Sequence, residues 1–355
     1  MFAGFGRLAN ALACLVITSA SLAFWSQPAA AQTSPRATVV HAFDHTPVYF
    51  TEADNQRDVT SVATFPSSGS FQRITLHIAL DCPAGGCDPW DRYGTIGVVT
   101  APATDTIPAS VIELARFMTP YGVGARWTTD VTDLRPLLKD SVTLRASIDT
   151  WVGPGNSTGA GWQLTTWFTM VPGSPARTPL AVLPIWDPRE VLYGDPAKPI
   201  GMSAPPVIVA LPAQAKHFAL RSLVTGHGQG NSDDCSEFCP RTHTLRVNGF
   251  PHRLYGWRPD CATSHTPHQR GNYWYSRALW CPGDVVQPWL VDVSSDVAAH
   301  SARIAYSVSP YVNKCRPGAV PMVPTECVLG TSAEYDGGRH TPPVFRLSTV
   351  LIAYE

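Results

Sequence analysis

The chain has 355 residues, 33 of them proline and 27 glycine, with 15% charged residues and a formal net charge of −1. A near-neutral chain without a basic run excludes nucleic-acid binding through phosphate contacts. Its 44% hydrophobic content and 11 tryptophans exclude wholesale disorder, and its length suits two ordinary domains or one large one.

Residues 1–31 read as an export signal. Arg7 precedes an apolar stretch from Leu8 to about Trp25, and Ala29-Ala30-Ala31 offers a small-residue cleavage site near Ala31. The stretch is too short and interrupted to span a membrane, and no later run is longer, so a secreted or periplasmic protein is expected. Cys14 leaves with the signal, and eight of the nine cysteines remain. An even number in an exported chain favours disulfides, and no CxxC or Cys/His spacing of the zinc type is present. The spacings suggest local pairs: Cys82–Cys87, Cys235–Cys239, Cys261–Cys281 and Cys315–Cys327.

Downstream, apolar and polar residues alternate. In Gln72–Asp81, Ile74, Leu76, Ile78 and Leu80 share one face. In Val142–Trp151, Val142, Leu144, Ala146 and Ile148 oppose Thr143, Arg145, Ser147, Asp149 and Trp151. His243–Asn248, Arg303–Ser309 and Val344–Tyr354 behave alike. Period-two runs punctuated by Gly and Pro predict half-buried antiparallel strands. Helical periodicity is confined to one turn over Val131–Leu138, capped by Asp130 or Thr132. An all-β chain of β-sandwiches or jelly rolls is expected. Alternation stops in the Pro- and Gly-rich Asp187–Pro206, which divides the chain into domains at 32–190 and 207–355 joined by a linker at 191–206. No sequence repeat relates the halves, so any symmetry between them must be structural.

Nucleotide-binding, HExxH and EF-hand patterns are absent. Gly155-Asn156-Ser157-Thr158-Gly159 matches GxSxG, but it falls between strands rather than on a strand-to-helix turn, so a serine nucleophile is disfavoured. His265 and His268, with His252, form the one candidate metal cluster, and incidental loop histidines are the simpler reading. What remains is a set of acids beside aromatics and disulfides. Asp88 and Asp91 follow the Cys82–Cys87 loop in Asp88-Pro89-Trp90-Asp91-Arg92-Tyr93, and Glu237 lies inside Cys235–Cys239. Asp149 and Trp151 project from one strand face. A small disulfide loop fixes such side chains at low entropic cost, although turn caps and surface ion pairs would use the same residues.

CPAGGCDPWDRY (Cys82–Tyr93), FMTPYGVG (Phe117–Gly124) and DVTDLRPLL (Asp130–Leu138) resemble the N-terminal half of the bacterial peptide-N-glycosidase F family. TGHGQGNSDDCSEFCPRTHTLRVNG (Thr225–Gly249), QRGNYW (Gln269–Trp274) and SRALWCPG (Ser276–Gly283) resemble its C-terminal half. The resemblance implies two side-by-side jelly-roll domains and a secreted amidase that cleaves asparagine from the first N-acetylglucosamine of N-linked glycans. It implies Asp91 as the principal catalytic acid, with Glu237 and Asp149 beside it; the best-known member has glutamate at the position of Asp149. Arg92, Trp151 and Arg277 match positions lining the sugar cleft, Trp280 is counted with them, and His227 stands where that member has tryptophan. No metal or organic cofactor is implied. The partners are N-glycosylated proteins or glycopeptides, with a monomer as the default state. Two other classes fit the scaffold: a glycan-binding protein whose acids only accept hydroxyl hydrogen bonds, and a copper monooxygenase, which needs imidazole and thioether clusters.

Overall fold

A computed structural model describes Met1 and residues 36–229, 235–263, 266–297, 300–314 and 342–355. The expected export signal, the Cys315–Cys327 pair and His265 therefore lie outside the described residues, apart from Met1. Arg36–Glu355 is one compact unit, built almost wholly of antiparallel strands.

Strands β1 (Thr38–Val48), β8 (Trp162–Pro172), β3 (Phe71–Asp81) and β6 (Ala125–Asp130) form one sheet in that order. Facing it are β2 (Asp58–Phe65), β7 (Asp140–Ile148), β4 (Tyr93–Ala101) and β5 (Ser110–Met118). In the second half β14 (Trp289–Asp292), β11 (His217–His227), β16 (Val344–Tyr354) and β9 (Pro179–Leu192) form one sheet. Its companion is β10 (Val207–Ala210), β15 (Ser301–Val308), β12 (Arg241–Val247) and β13 (Phe250–Gly256). Counted from the first strand of each half, both sandwiches have the orders 1-8-3-6 and 2-7-4-5, the eight-stranded jelly roll. The symmetry is one of topology alone.

Local pattern explains most strands. In β3, Ile74, Leu76, Ile78 and Leu80 are buried, as alternation predicts, and in β7 so are Val142, Leu144, Ala146 and Ile148. Over 131–138 the turn is a 3₁₀ helix, Thr132–Leu137, where Asp130 Oδ1 accepts the Thr132 N–H at 2.8 Å. β9 extends over the first residues of the expected linker and pairs with β16, while residues 200–203 form a single α-turn.

Two expectations need correction. β7 ends at Ile148, and the Thr150 N–H bends back to the Ile148 carbonyl at 2.7 Å, so Asp149 and Trp151 sit in a loop and share no strand face. β16 is not half-buried but buried nearly throughout. Phe345, Leu347, Leu351 and Ala353 face the core of the second sandwich, while Val350, Ile352 and Tyr354 join the core of the first. Both faces are covered because the sandwiches pack sheet to sheet, with β5 against β9 and β16. The seam is polar: Glu113, Arg116, Arg221, Ser222, Thr225, Ser348 and Thr349 are all buried there.

Candidate active site

Several expected site residues collect at one end of the seam. The entry to β4 carries Asp91 and Arg92, the exit of β7 carries Asp149 and Trp151, and the exit of β5 leads to Tyr121. From the second half come His227 at the end of β11, Glu237 between β11 and β12, and Arg277 between β13 and β14. Disulfides Cys82–Cys87, Cys235–Cys239 and Cys261–Cys281 staple these loops.

Asp88 and Asp91 divide the two roles that the sequence leaves open. Asp88 is fully buried and accepts the Trp90 N–H at 2.9 Å, the Thr150 hydroxyl at 2.6 Å and Arg92 Nε at 2.8 Å. It ties the loop before β4 to the loop after β7 and is a structural anchor. Asp91 keeps 16% of its side chain exposed, accepts the Tyr121 hydroxyl at 2.8 Å and lies 3.6 Å from Arg277 Nη2.

Arg277 stands between the two acids. Its Nε is 3.4 Å from Glu237 Oε1, while Nη1 donates to the Tyr275 carbonyl at 2.8 Å. Nη2 donates to the Asn272 carbonyl at 3.2 Å and to the Tyr121 hydroxyl at 3.3 Å. The guanidinium lies over the rings of Trp280 and Phe238, 4.9 and 5.2 Å from their centroids. Glu237 Oε2 accepts the Gly228 N–H at 3.3 Å.

Burial, and then the negative charge of Asp91, push the Glu237 carboxyl up to about 7. Burial also raises Asp91 above the ordinary carboxylate value, with Arg277 and the Tyr121 hydrogen bond opposing part of the rise. Both carboxyls are thus raised, Glu237 to about 7 with the charge of Asp91 contributing, so the pair can hold and pass a proton.

The other expected residues take different places. Asp149 Oδ2 accepts Arg346 Nη1 at 2.7 Å and has no bond to Asp91, Arg277 or Glu237 among the described residues. Trp280 is 3% exposed and its indole N–H is bonded to the Gly226 carbonyl at 2.7 Å, so it supports Arg277 from beneath and presents no free face to a sugar. His227 stacks on Trp280 at 5.3 Å, and its Nε2 is 2.8 Å from Thr225 Oγ1. Burial, reinforced by the charges of Arg346 and Arg116, holds its imidazole well below the ordinary histidine range, so it is neutral. Trp151 is 56% exposed, as are Trp90 (57%), Trp274 (48%) and Tyr275 (53%). His252 Nε2 is 2.7 Å from Asp296 Oδ2, a hydrogen-bond distance.

Tyr121 is the residue in contact with Asp91 that residue-by-residue reasoning missed, although it lies within FMTPYGVG. Gln269 Oε1 accepts its N–H at 3.2 Å, and its carbonyl accepts the Arg270 N–H at 3.1 Å. Gly271 completes the cradle: a Cβ there would collide with the Tyr121 ring. Gly271→Ala is expected to displace the hydroxyl from Asp91, lowering kcat about tenfold and stability by about 1–3 kcal/mol through overpacking. Tyr121→Phe should reproduce the kcat loss without the overpacking, which paired turnover and thermal-unfolding measurements would separate.

Family models of peptide-N-glycosidase F match this chain in two parts, the N-terminal domain over residues 103–160 and the C-terminal domain over 201–323. Asp149 and Trp151 fall in the first match; His227, Glu237, Arg277 and Trp280 fall in the second; Asp91 lies upstream of both. Peptide-N(4)-(N-acetyl-beta-D-glucosaminyl)asparagine amidase F of Elizabethkingia miricola is 30% identical over 251 residues, covering 65% of this chain and 66% of that protein. The chain thus aligns with just under two thirds of that relative's length. The structure of the glycosylasparaginase PNGase F from Flavobacterium meningosepticum superposes with a TM-score of 0.71 at 23% identity, over 90% of this chain and 96% of that one. PNGF-II superposes with a TM-score of 0.65 at 17% identity, over 90% of this chain and 65% of that one. These two likenesses establish the shared fold.

Proposed function

Because the chain belongs to the peptide-N-glycosidase F family, we propose that it hydrolyses the amide between an asparagine side chain and the first N-acetylglucosamine of an N-linked glycan. The observation that carries this is the pairing of Asp91 and Glu237 across Arg277 at the seam of the two jelly rolls. The products are aspartate and a glycosylamine. The scissile bond is an amide, so the carboxylate spacings of glycoside hydrolysis do not apply.

An amide needs an activated nucleophile, a cation for the carbonyl oxygen and a proton for the leaving nitrogen. Asp91, oriented by Tyr121, acts in its ionised form and takes a proton from the water that attacks the side-chain carbonyl carbon. Glu237, protonated near neutrality, returns a proton to nitrogen as the C–N bond breaks. Of the two arginines, Arg277 already donates to Glu237, Tyr121 and two carbonyls. Arg92 is fixed through Nε by Asp88, and its Nη groups have no protein acceptor among the described residues, which suits it to the developing oxyanion. Asp149, clamped by Arg346, is assigned to holding the sugar. Exposed Trp90, Trp151 and Trp274 offer faces for the apolar C–H surfaces of carbohydrate.

The protein is assigned to an extracellular or periplasmic setting, in line with the three disulfides among the described residues and the signal-like residues 1–31. Among the described residues no helix is long and apolar enough to cross a membrane. The test is incubation of the protein with a defined N-glycopeptide and mass analysis of the peptide. Aspartate at the formerly glycosylated position is expected; N-acetylglucosamine left on asparagine would overturn the chemistry, and an untouched glycopeptide the activity.

The pH dependence follows from the raised Glu237. Its proton is held below about pH 7 and lost above it, so kcat/KM should fall as pH rises through about 7. On the acid side it should fall as Asp91 gains a proton, above the ordinary carboxylate value. The two limbs belong to the pair as a coupled unit. Glu237→Gln should flatten the alkaline limb, and an unchanged limb would remove Glu237 from proton transfer.

A further inference from the structure

At the same end of the sheet, one element is not used by the chemistry. Arg57 immediately precedes β2, whose order in the sheet β2-β7-β4-β5 places it beside the exit of β7. Its carbonyl accepts the Ile148 N–H at 3.0 Å, one residue before Asp149. The Arg57 guanidinium lies over two rings, Phe50 at 4.6 Å and Trp151 at 4.5 Å, which meet edge to face at 5.3 Å. Nε is anchored on Asn55 Oδ1 at 2.9 Å, whereas Nη1 and Nη2 have no protein acceptor among the described residues.

Most nearby acids are already engaged. Asp54 accepts Tyr49 and Gln56, Asp58 pairs with Arg145, and Asp149 pairs with Arg346. Cation–π contact orients a guanidinium without neutralising it, and the edge left free is the fork that binds a carboxylate in bidentate fashion. With strands about 4.8 Å apart, β2 lies two strand spacings from β4, so the platform sits on the order of 10 Å from the Asp91 end of the cleft.

We propose that Phe50, Arg57 and Trp151 form an outer subsite that binds a carboxylate of the glycopeptide, with the Trp151 ring packing on the carrier. This subsite rests on the amidase function proposed above. The carboxylate has two sources, an acidic side chain of the peptide near the glycosylated asparagine or a carboxylated sugar of the glycan.

The test compares three glycopeptides: one neutral in both parts, one with glutamate placed beside the glycosylation site, and one with a sialylated glycan. For the unaltered protein we expect kcat/KM to be about fivefold higher for one acidic substrate than for the neutral one, the discrimination of a partly exposed ion pair. The preference should shrink at high salt. In Arg57→Gln the ratio of acidic to neutral substrate should fall to about one, and in Arg57→Lys part of it should return. The preferred arm identifies the source. Equal rates on all three substrates with the unaltered protein, or an equal loss on all three in Arg57→Gln, would overturn the subsite while leaving the amidase reading intact. Absence of aspartate product from every substrate would instead overturn the amidase reading.

Discussion

Replacing Asp91 with asparagine is expected to slow glycan release, and with it the conversion of asparagine to aspartate, by at least about a thousandfold while leaving the fold in place. The substitution keeps the shape, and its amide oxygen still accepts the Tyr121 hydroxyl, which now donates to Asp91 Oδ2 at 2.8 Å. What disappears is the basic lone pair that takes the proton from water, a contribution of about 10²–10⁴ on its own, and the partner charge of Arg277 at 3.6 Å. A second effect should accompany the first. The charge of Asp91 is one of the causes that raise Glu237 toward about 7. Its removal should therefore move Glu237 back toward the ordinary carboxylate range, a shift that NMR titration of the inactive variant can read. Peptide mass after prolonged incubation reports the activity, and unchanged thermal unfolding reports the fold. Substantial turnover by Asp91→Asn would sink the assignment of the base. A retained high Glu237 value would mean that burial alone sets it.

How far the sequence carried this picture differs by residue type. β3 and β7 were legible because one face meets a core and the other meets solvent or a polar layer, so alternation reports burial directly. β16 was legible as a strand but not as a fully buried one. Its second face is covered by the other sandwich, and no local pattern encodes a contact made across the seam. Asp88 and Asp91 are three residues apart in one motif; the family resemblance points to Asp91, but residue pattern alone does not, and the fold shows an anchor with no exposure beside a cleft acid that keeps 16% of its side chain open. Trp280 fails as a sugar platform for the converse reason: large aromatics serve cores and surfaces alike, and its indole N–H is spent on the Gly226 carbonyl. Tyr121 carried no signal of its own because it meets the Asp91 carboxylate only when β5 and β4 are paired. Asp149 was placed on a strand face by extending the period one turn too far, and the bend at Thr150 gives it to Arg346 instead.

The second large effect lies beneath the site. Arg116 has no exposed surface, and its Nε and Nη2 bind both oxygens of the buried Glu113 at 2.8 and 2.7 Å. Nη1 reaches across the seam to Thr225 Oγ1 at 3.1 Å and to the Arg346 carbonyl at 2.7 Å, and Ser348 donates to Glu113 at 2.5 Å. One guanidinium therefore joins the first sandwich to β11 and β16 of the second. Arg116→Met fills the volume but strips the bidentate pair from the buried Glu113 and leaves it only the charge of neighbouring Arg221, which costs about 3–5 kcal/mol. A fall in Tm on the order of 10 °C is expected by calorimetry. Replacing both partners, Glu113→Leu with Arg116→Met, should recover part of the loss by removing the underpaired carboxylate, but not all of it, because the buried Arg221 then loses the negative charge of Glu113. The same variants separate stability from positioning. Thr225 Oγ1 is 2.8 Å from His227 Nε2, and Arg346 holds Asp149 at 2.7 Å, so the double variant, though refolded, should still show weaker substrate binding as a raised KM. If KM returned with Tm, the seam would serve cohesion alone. If it did not, the buried arginine sets the register in which the two jelly rolls present Asp149 and His227 to the cleft.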